Sequence, residues 1–196
     1  IEPSRGLGDV YKRQQLNYSF ANDKVIETLK EGDKLIFIRH ALAPGNGDPE
    51  NFELQNCSTQ RNLNEIGIQQ SKKIGLIFKK NEIKIDNIYS SEWCRCKDTA
   101  KYAFDDFETF DALNSFYDIR FAANEDKQIK DFYEFIDSID SKNNIVFVTH
   151  YVVIGAILNI GTSSGEIVVT DKNLNIIGSI DTCLLYTSDA ADESTC

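Results

Sequence analysis

The sequence predicts an α/β domain, a three-layer α/β/α sandwich around a mostly parallel central sheet, and two observations lead there. Leu35 to Ile38 (LIFI) and Ile145 to Val148 (IVFV) are continuous apolar runs without polar alternation, as in strands buried on both faces. The segments between them carry apolar residues at helical spacing, so strands alternate with helices. Ligands of such sheets bind beyond the carboxyl ends of the strands.

In chain order, Val25, Ile26 and Leu29 form a short apolar helical stripe that Glu31-Gly32-Asp33 stops. The LIFI strand follows and ends abruptly in Arg39-His40. Residues 41–61 are rich in Pro, Gly, Asn and Asp and read as a long loop, a kind of segment that often carries function. Leu63, Ile66, Ile74, Ile77 and Phe78 mark the first crossover helix, running through Lys80. Ile85 to Tyr89 is the second strand, and Ser90-Ser91 caps a helix to about Phe104. Phe107 to Leu113 is a weaker third strand, and Phe132, Phe135, Ile136 and Ile139 mark another helix. The IVFV strand ends in Thr149-His150, echoing the first, and an apolar helix follows to about Ile160. Ile167 to Val169 and Leu174 to Ile177 flank a turn-forming tetrad and close the sheet as a hairpin.

Both ends of the chain break this pattern. Ser4 to Gln14 and Cys183 to Glu193 resemble translations of the adapter ends used in transposase-based sequencing libraries. Residues 1–14 and 183–196 are therefore read as non-native tails, and residues 15–182 as one domain with one core. That domain holds 18 Lys and Arg against 26 Asp and Glu, a formal charge of −8. Such a surface disfavours general nucleic-acid or anionic-membrane binding, which needs net positive charge. No apolar run is long enough to span a bilayer. An anionic substrate would need a local cation.

Cysteines Cys57, Cys94 and Cys96 remain in the domain. A C-x-C spacing on a helix sends its two thiols to separate faces, which argues against a shared metal site, and no histidine lies nearby to complete one. Two readings stand: three ordinary reduced thiols, or Cys57 bridged to Cys94 or Cys96 in an oxidising compartment.

The chain contains two histidines, and each directly follows a buried strand, His40 after LIFIR and His150 after IVFVT. Arg39-His40 resembles the arginine-histidine-glycine signature of the histidine phosphatase (phosphoglycerate mutase-like) superfamily, with Ala41 in place of the glycine. Asn46 falls where mutase-like members carry a phosphate-binding asparagine. Leu63-Asn64-Glu65-Ile66-Gly67-Ile68-Gln69-Gln70 resembles the family's Leu-Thr-x-x-Gly-x-x-Gln helix start. The run from Ser90-Ser91 through Arg95 to Thr99-Ala100 resembles its Ser-Ser-x-x-x-Arg-x-x-x-Thr-Ala segment, and Val148-Thr149-His150 the segment carrying its second histidine. These matches occur in the family's order over nearly all of residues 34–179.

The resemblance implies His40 as a nucleophile that becomes phosphorylated, Arg39 and Arg95 as phosphate-binding forks, and His150 as a further group on the phosphoryl. It assigns Asn46 to substrate binding. The chemistry is consistent with those roles. A neutral imidazole can attack phosphorus and divide transfer into two easier steps, and a planar guanidinium offers paired hydrogen bonds to the phosphoryl oxygens. Lysine outnumbers arginine 14 to 4 in residues 15–182, yet both motif positions that want a fork hold arginine. Arg61 stands in the long loop, where it can reach a phosphate or solvent; Arg120 reads as an ordinary salt-bridging residue.

Mutase-like members supply a proton to the leaving group from a glutamate soon after the third strand. Here that stretch is Leu113-Asn114-Ser115-Phe116, without a carboxylate. Asp118 is the nearest candidate acid, with Glu166 a second. The expected activity is hydrolysis of a small phosphorylated substrate without metal or cofactor. Two alternatives are a phosphohistidine-protein phosphatase, whose phosphoramidate substrate leaves without the acid, and a catalytically silent phospho-ligand binder. Likeness to small exported members, together with a Cys57 bridge if one forms, points to a periplasmic or exported location ahead of a cytoplasmic one.

Overall fold

The computed structural model describes residues 22–182, so the two terminal stretches read as non-native lie outside the described residues. The described chain starts with helix α1 (residues 22–30), whose Val25 and Leu29 are buried. Gly32 (φ 78°) and Asp33 (φ 59°) then turn it into β1 (Leu35–Arg39). A side chain at position 32 would meet the Lys142 carbonyl oxygen at 2.7 Å, so the turn needs glycine for its backbone angle and for space.

Six strands form one sheet in the order β3-β2-β4-β1-β5-β6. β2 (Ile85–Ser90), β3 (Glu108–Thr109) and β4 (Asn144–Thr149) run parallel with β1, while β5 (Ile167–Thr170) and β6 (Ile176–Ile180) close one edge as an antiparallel hairpin. The strand alternation is real although both faces are apolar. Ile36, Ile38, Val146 and Val148 face one core with Ile74, Phe78 and Ala100. Leu35, Phe37, Ile145 and Phe147 face the other with Phe132, Val153 and Ile154. Helices α1, α2 (Glu65–Lys80) and α3 (Cys94–Phe104) cover the first face, and α4 (Glu125–Ser138) and α5 (Tyr151–Leu158) the second. This is the predicted three-layer sandwich.

Four local readings are corrected. The third strand stops at Thr109, and Asp111–Leu113 is a short 3₁₀ turn. Thr149 Oγ1 donates to the Leu113 carbonyl at 2.6 Å, holding that turn over the end of β4. Helix α3 starts at Cys94 behind Trp93, later than the Ser90-Ser91 cap suggests. The Ser91 hydroxyl receives the Trp93 N–H at 3.3 Å but is mainly committed elsewhere. Helix α5 ends at Leu158, where Asn159 takes a left-handed conformation (φ 54°). Leu174 (φ 63°) belongs to the hairpin turn, held by Asp171, which accepts from the N–H groups of Asn173 and Asn175.

Candidate active site

Because β1 and β4 are direct neighbours with Arg39 opposite Thr149, the residues that follow them emerge side by side. The His40 N–H donates to the Thr149 carbonyl at 2.9 Å, and both histidines are buried. His40 Nδ1 lies 2.8 Å from its neighbour's carbonyl, Ala41 O. A carbonyl only accepts, so Nδ1 carries the proton and Nε2 keeps its lone pair. Burial, then the positive charge of Arg95, push the His40 pKa well below 6.5, so the ring is neutral at ordinary pH.

His150 takes the opposite tautomer. Its Nδ1 lies 3.4 Å from Arg95 Nη2, which can only donate, so its proton sits on Nε2 and is donated to Ser91 Oγ at 2.9 Å. Ser91 in turn donates to Asn114 Oδ1 at 3.0 Å. Asn114 also accepts from the Glu92 N–H and donates to the Glu92 carboxylate. Burial first, and Arg95 second, hold His150 well below 6.5 as well. Asn114, in the stretch that lacks the family's proton-donating glutamate, therefore helps to orient the second histidine.

Arg95 projects from the first turn of α3 and is buried. A Cys57–Cys94 disulfide beside it ties the long loop to the helix, and Gln60 Oε1 accepts the Cys94 N–H at 2.9 Å. Of the two cysteine readings, the structure has the Cys57 bridge to Cys94. Cys96 remains free and buried, its thiol 3.5 Å from His150 Nε2 and its pKa pushed up to about 12 by burial. The C-x-C pair does diverge as its spacing predicts.

One pocket is lined by His40, His150, Arg95, Asn46, Arg61 and Asp118 together. Asn46 Nδ2 donates to the Tyr117 hydroxyl at 3.3 Å on its wall. Arg61 is half-buried and committed to its own loop, donating from Nε to Gly47 O at 3.0 Å and from Nη1 to Ala43 O. Arg39 is the exception. It does not line this pocket; its Nη1 donates to Thr162 O at 2.5 Å, and the guanidinium stands over the Tyr151 ring at 5.2 Å. The structure thus brings Arg39 next to the site with Nη1 committed to Thr162 and Nε without a partner among the described residues.

The two candidate acids are placed differently. Asp118 is in the pocket wall, but its carboxylate takes Arg120 Nε at 3.0 Å and Nη2 at 2.8 Å, and these bonds lower its pKa to about 2. The pairing with Arg120 favours its ionised form, which opposes a role as general acid. Glu166 accepts the Ser163 N–H at 2.8 Å and is not part of the pocket lining.

Sequence reasoning missed Asp48, whose carboxylate lies in the pocket and accepts from Arg95 Nη1 at 2.9 Å. A carboxylate in an anion site runs against the charge logic of the motif, so no sequence signal singled it out. It also missed Ser91 as the acceptor for His150, because a serine before a helix reads as a cap.

Residues 35–134 match the family model of the histidine phosphatase superfamily, branch 1. This chain belongs to the histidine phosphatase superfamily. No curated protein matches it in sequence. Among solved structures, the histidine phosphatase fold is shared with the protein histidine phosphatase SixA complexed with tungstate, at 15% identity and a TM-score of 0.57. The match covers 78% of this chain and 99% of that one. The putative phosphohistidine phosphatase SixA from Agrobacterium tumefaciens is 19% identical with a TM-score of 0.54, covering 76% and 98%. Phosphoglycerate mutase from Thermus thermophilus is 14% identical, also at 0.54, covering 76% and 98%. These likenesses carry the fold, and the family supports a phosphatase-type enzyme.

Proposed function

We propose that the protein is a phosphatase that hydrolyses a phosphomonoester through a covalent phosphohistidine on His40. The observation that carries this reading is the tautomer of His40: Nδ1 is tied to Ala41 O, so the lone pair of Nε2 is the reactive one, beside Arg95 and His150 in one pocket. In the first step Nε2 attacks phosphorus, an N–P bond forms and the ester P–O bond breaks, the leaving oxygen keeping the electron pair and taking a proton from water to depart as the alcohol. Nδ1–H stays on Ala41 O and helps the ring bear the new positive charge. In the second step water attacks phosphorus, the N–P bond breaks, and inorganic phosphate and neutral His40 are restored.

Charge on the phosphoryl oxygens is met by the Arg95 guanidinium, with Asn46 and Arg61 assisting from the loop and His150 held by Ser91 on the other side. No step in this scheme calls for a metal ion or cofactor. Arg39 contributes positive charge from beside the site; Thr162 holds its Nη1, while its Nε has no hydrogen-bond partner among the described residues.

A second reading, a phosphohistidine-protein phosphatase, is favoured by one observation. Arg120 favours the ionised form of Asp118, which opposes proton donation to an alkoxide, whereas a phosphoramidate needs less help to leave. The proposed relation to an oxidising, exported setting is supported by the Cys57–Cys94 bridge.

The test is to trap the phosphoenzyme. Wild type given a labelled aryl phosphate, or a phosphorylated histidine-containing protein, is expected to carry acid-labile label, and His40→Ala to carry none. Which substrate turns over faster chooses between the two readings. Wild type that neither takes up label nor turns over either substrate defeats both readings and leaves a silent binder, whereas His40→Ala with most of the activity defeats the assignment of His40 as nucleophile.

A further inference from the structure

We propose that Asp48 is the positioning residue of this site, fixing the Arg95 guanidinium by one nitrogen so that its remaining edge is presented to the phosphoryl group. The proposal rests on the phosphatase reading above and goes past it to a residue that the family motif does not single out. Asp48 follows Gly45-Asn46-Gly47, a stretch in which both glycines have positive φ, at 94° and 68°. That path lets the loop fold back and bring the carboxylate onto α3.

The Asp48 and Arg95 side chains are only 10% and 4% exposed. Asp48 Oδ1 accepts from Arg95 Nη1 at 2.9 Å and from the Arg61 N–H at 3.0 Å. Oδ2 accepts from Trp93 Nε1 at 3.1 Å and from the same Nη1 at 3.2 Å. Each of these partners is a donor, and together they hold the carboxylate from two loops and a helix. Its orientation is set before any substrate arrives.

What Asp48 leaves unused on Arg95 is the informative part. The contact engages Nη1 alone. Nη2 reaches toward His150 Nδ1 at 3.4 Å, and Nε is buried without a hydrogen-bond partner among the described residues. Nε–H and one Nη2–H lie on one edge of the planar group and form the parallel pair that binds two oxygens of a phosphate or carboxylate. An unpaired buried N–H is costly, so its survival points to a ligand that completes it. A competing arrangement, with Asp48 on that edge, would have blocked the phosphoryl oxygens; the observed one does not.

Asp48 therefore acts through Arg95, and the experiment reads that dependence. Kinetics on an aryl phosphate and inhibition by orthophosphate are measured for wild type, Asp48→Asn, Arg95→Ala and the double variant, with His40→Ala as the blank. Misplacing one fork lowers kcat by about 10- to 100-fold. The expected result is such a loss in Asp48→Asn with weaker orthophosphate inhibition, and no further loss beyond about twofold when it is added to Arg95→Ala. Asp48→Glu, which keeps the charge on a longer stem, recovers part of the loss and also serves if Asp48→Asn folds poorly by circular dichroism. Equal losses in both Arg95 backgrounds would show a merely structural role and overturn the proposal. So would an Asp48→Asn enzyme that keeps kcat and binds orthophosphate more tightly, since Asp48 would then be a competitor for Arg95. If wild type and His40→Ala are equally inactive, the phosphatase reading falls and this proposal with it; His40-dependent turnover that ignores Asp48 sinks this proposal alone.

Discussion

His40 and His150 meet edge to face, with ring centroids 5.5 Å apart and planes at 67°. They come from the ends of adjacent parallel strands, and the Arg39 to Thr149 register, one residue before each, sets their approach. Arg95 is the largest charge acting on both rings, and burial excludes the water that would stabilise two imidazolium ions there. Two neutral rings of opposite tautomer result, one with a free Nε2 and one donating from it.

That pairing predicts the response to acid. In the unfolded chain each histidine returns toward 6.5 and binds a proton that the folded site refuses. Below about pH 6.5 the unfolded state binds more protons, so stability falls as pH falls through the window under 6.5 and is fully present above it. Urea unfolding followed by the single tryptophan, Trp93, is expected to show a lower midpoint at about pH 5 than at about pH 7.5. His150→Asn should lose less over the same interval. The acid limb of kcat/KM should also lie below 6.5; a limb at 6.5 contradicts the burial argument.

Ser91 is expected to be costly to truncate. In Ser91→Ala the His150 Nε2–H loses its acceptor at 2.9 Å, leaving the weak Cys96 thiol at 3.5 Å. An unsatisfied buried donor costs about 1–3 kcal/mol, and the ring is freed to turn. Denaturation midpoint and kcat should both decline, and a variant with wild-type stability and turnover would remove Ser91 from the site.

The disulfide closes a loop of sequence separation 37 and anchors the segment carrying Asn46, Asp48 and Arg61 beside Arg95. Chain entropy puts its contribution at about 4 kcal/mol. The paired variant Cys57→Ser/Cys94→Ser is expected to unfold at lower urea and to show a raised KM. Alkylation should label no cysteine among the three in the folded oxidised protein. After reduction it should label exposed Cys57, with buried Cys94 and Cys96 reacting only in denaturant. Early labelling of Cys57 without reductant would deny the bridge.

Two glycines of α2 separate stability from activity. A Cβ at Gly67 would sit 2.1 Å from Leu42 O, and one at Gly75 2.1 Å from Ala103 O. Both clashes involve backbone, so Gly67→Ala and Gly75→Ala should each cost about 1–3 kcal/mol. Leu42 follows Ala41, whose carbonyl holds His40, so Gly67→Ala should also lower kcat. Gly75→Ala, which touches only the α2 to α3 contact, should leave kcat near wild type. Equal kinetic losses would mean that the effect is global.

Much of the fold was legible because its signals are local. LIFI and IVFV announce buried strands through composition alone, and the stripe of Ile74, Ile77 and Phe78 announces α2. Apolar content overstates the third strand, because Ala112 and Leu113 are buried in a turn as they would be in a strand, and composition does not tell those apart. In the site, the motif picked out His40, His150, Arg95 and Asn46, and loop position alone offered Arg61; all five line one pocket.

By itself, then, the order of residues determined which strands are buried, where histidines emerge and which helix carries a fork. Only the tertiary structure decided which way each group faces. Arg39 turns to Thr162, and Arg95 is held by Asp48. The physical reason is that burial pattern is written in neighbouring residues, whereas the direction of a polar side chain depends on partners that are often distant in sequence and become neighbours only when the sheet closes.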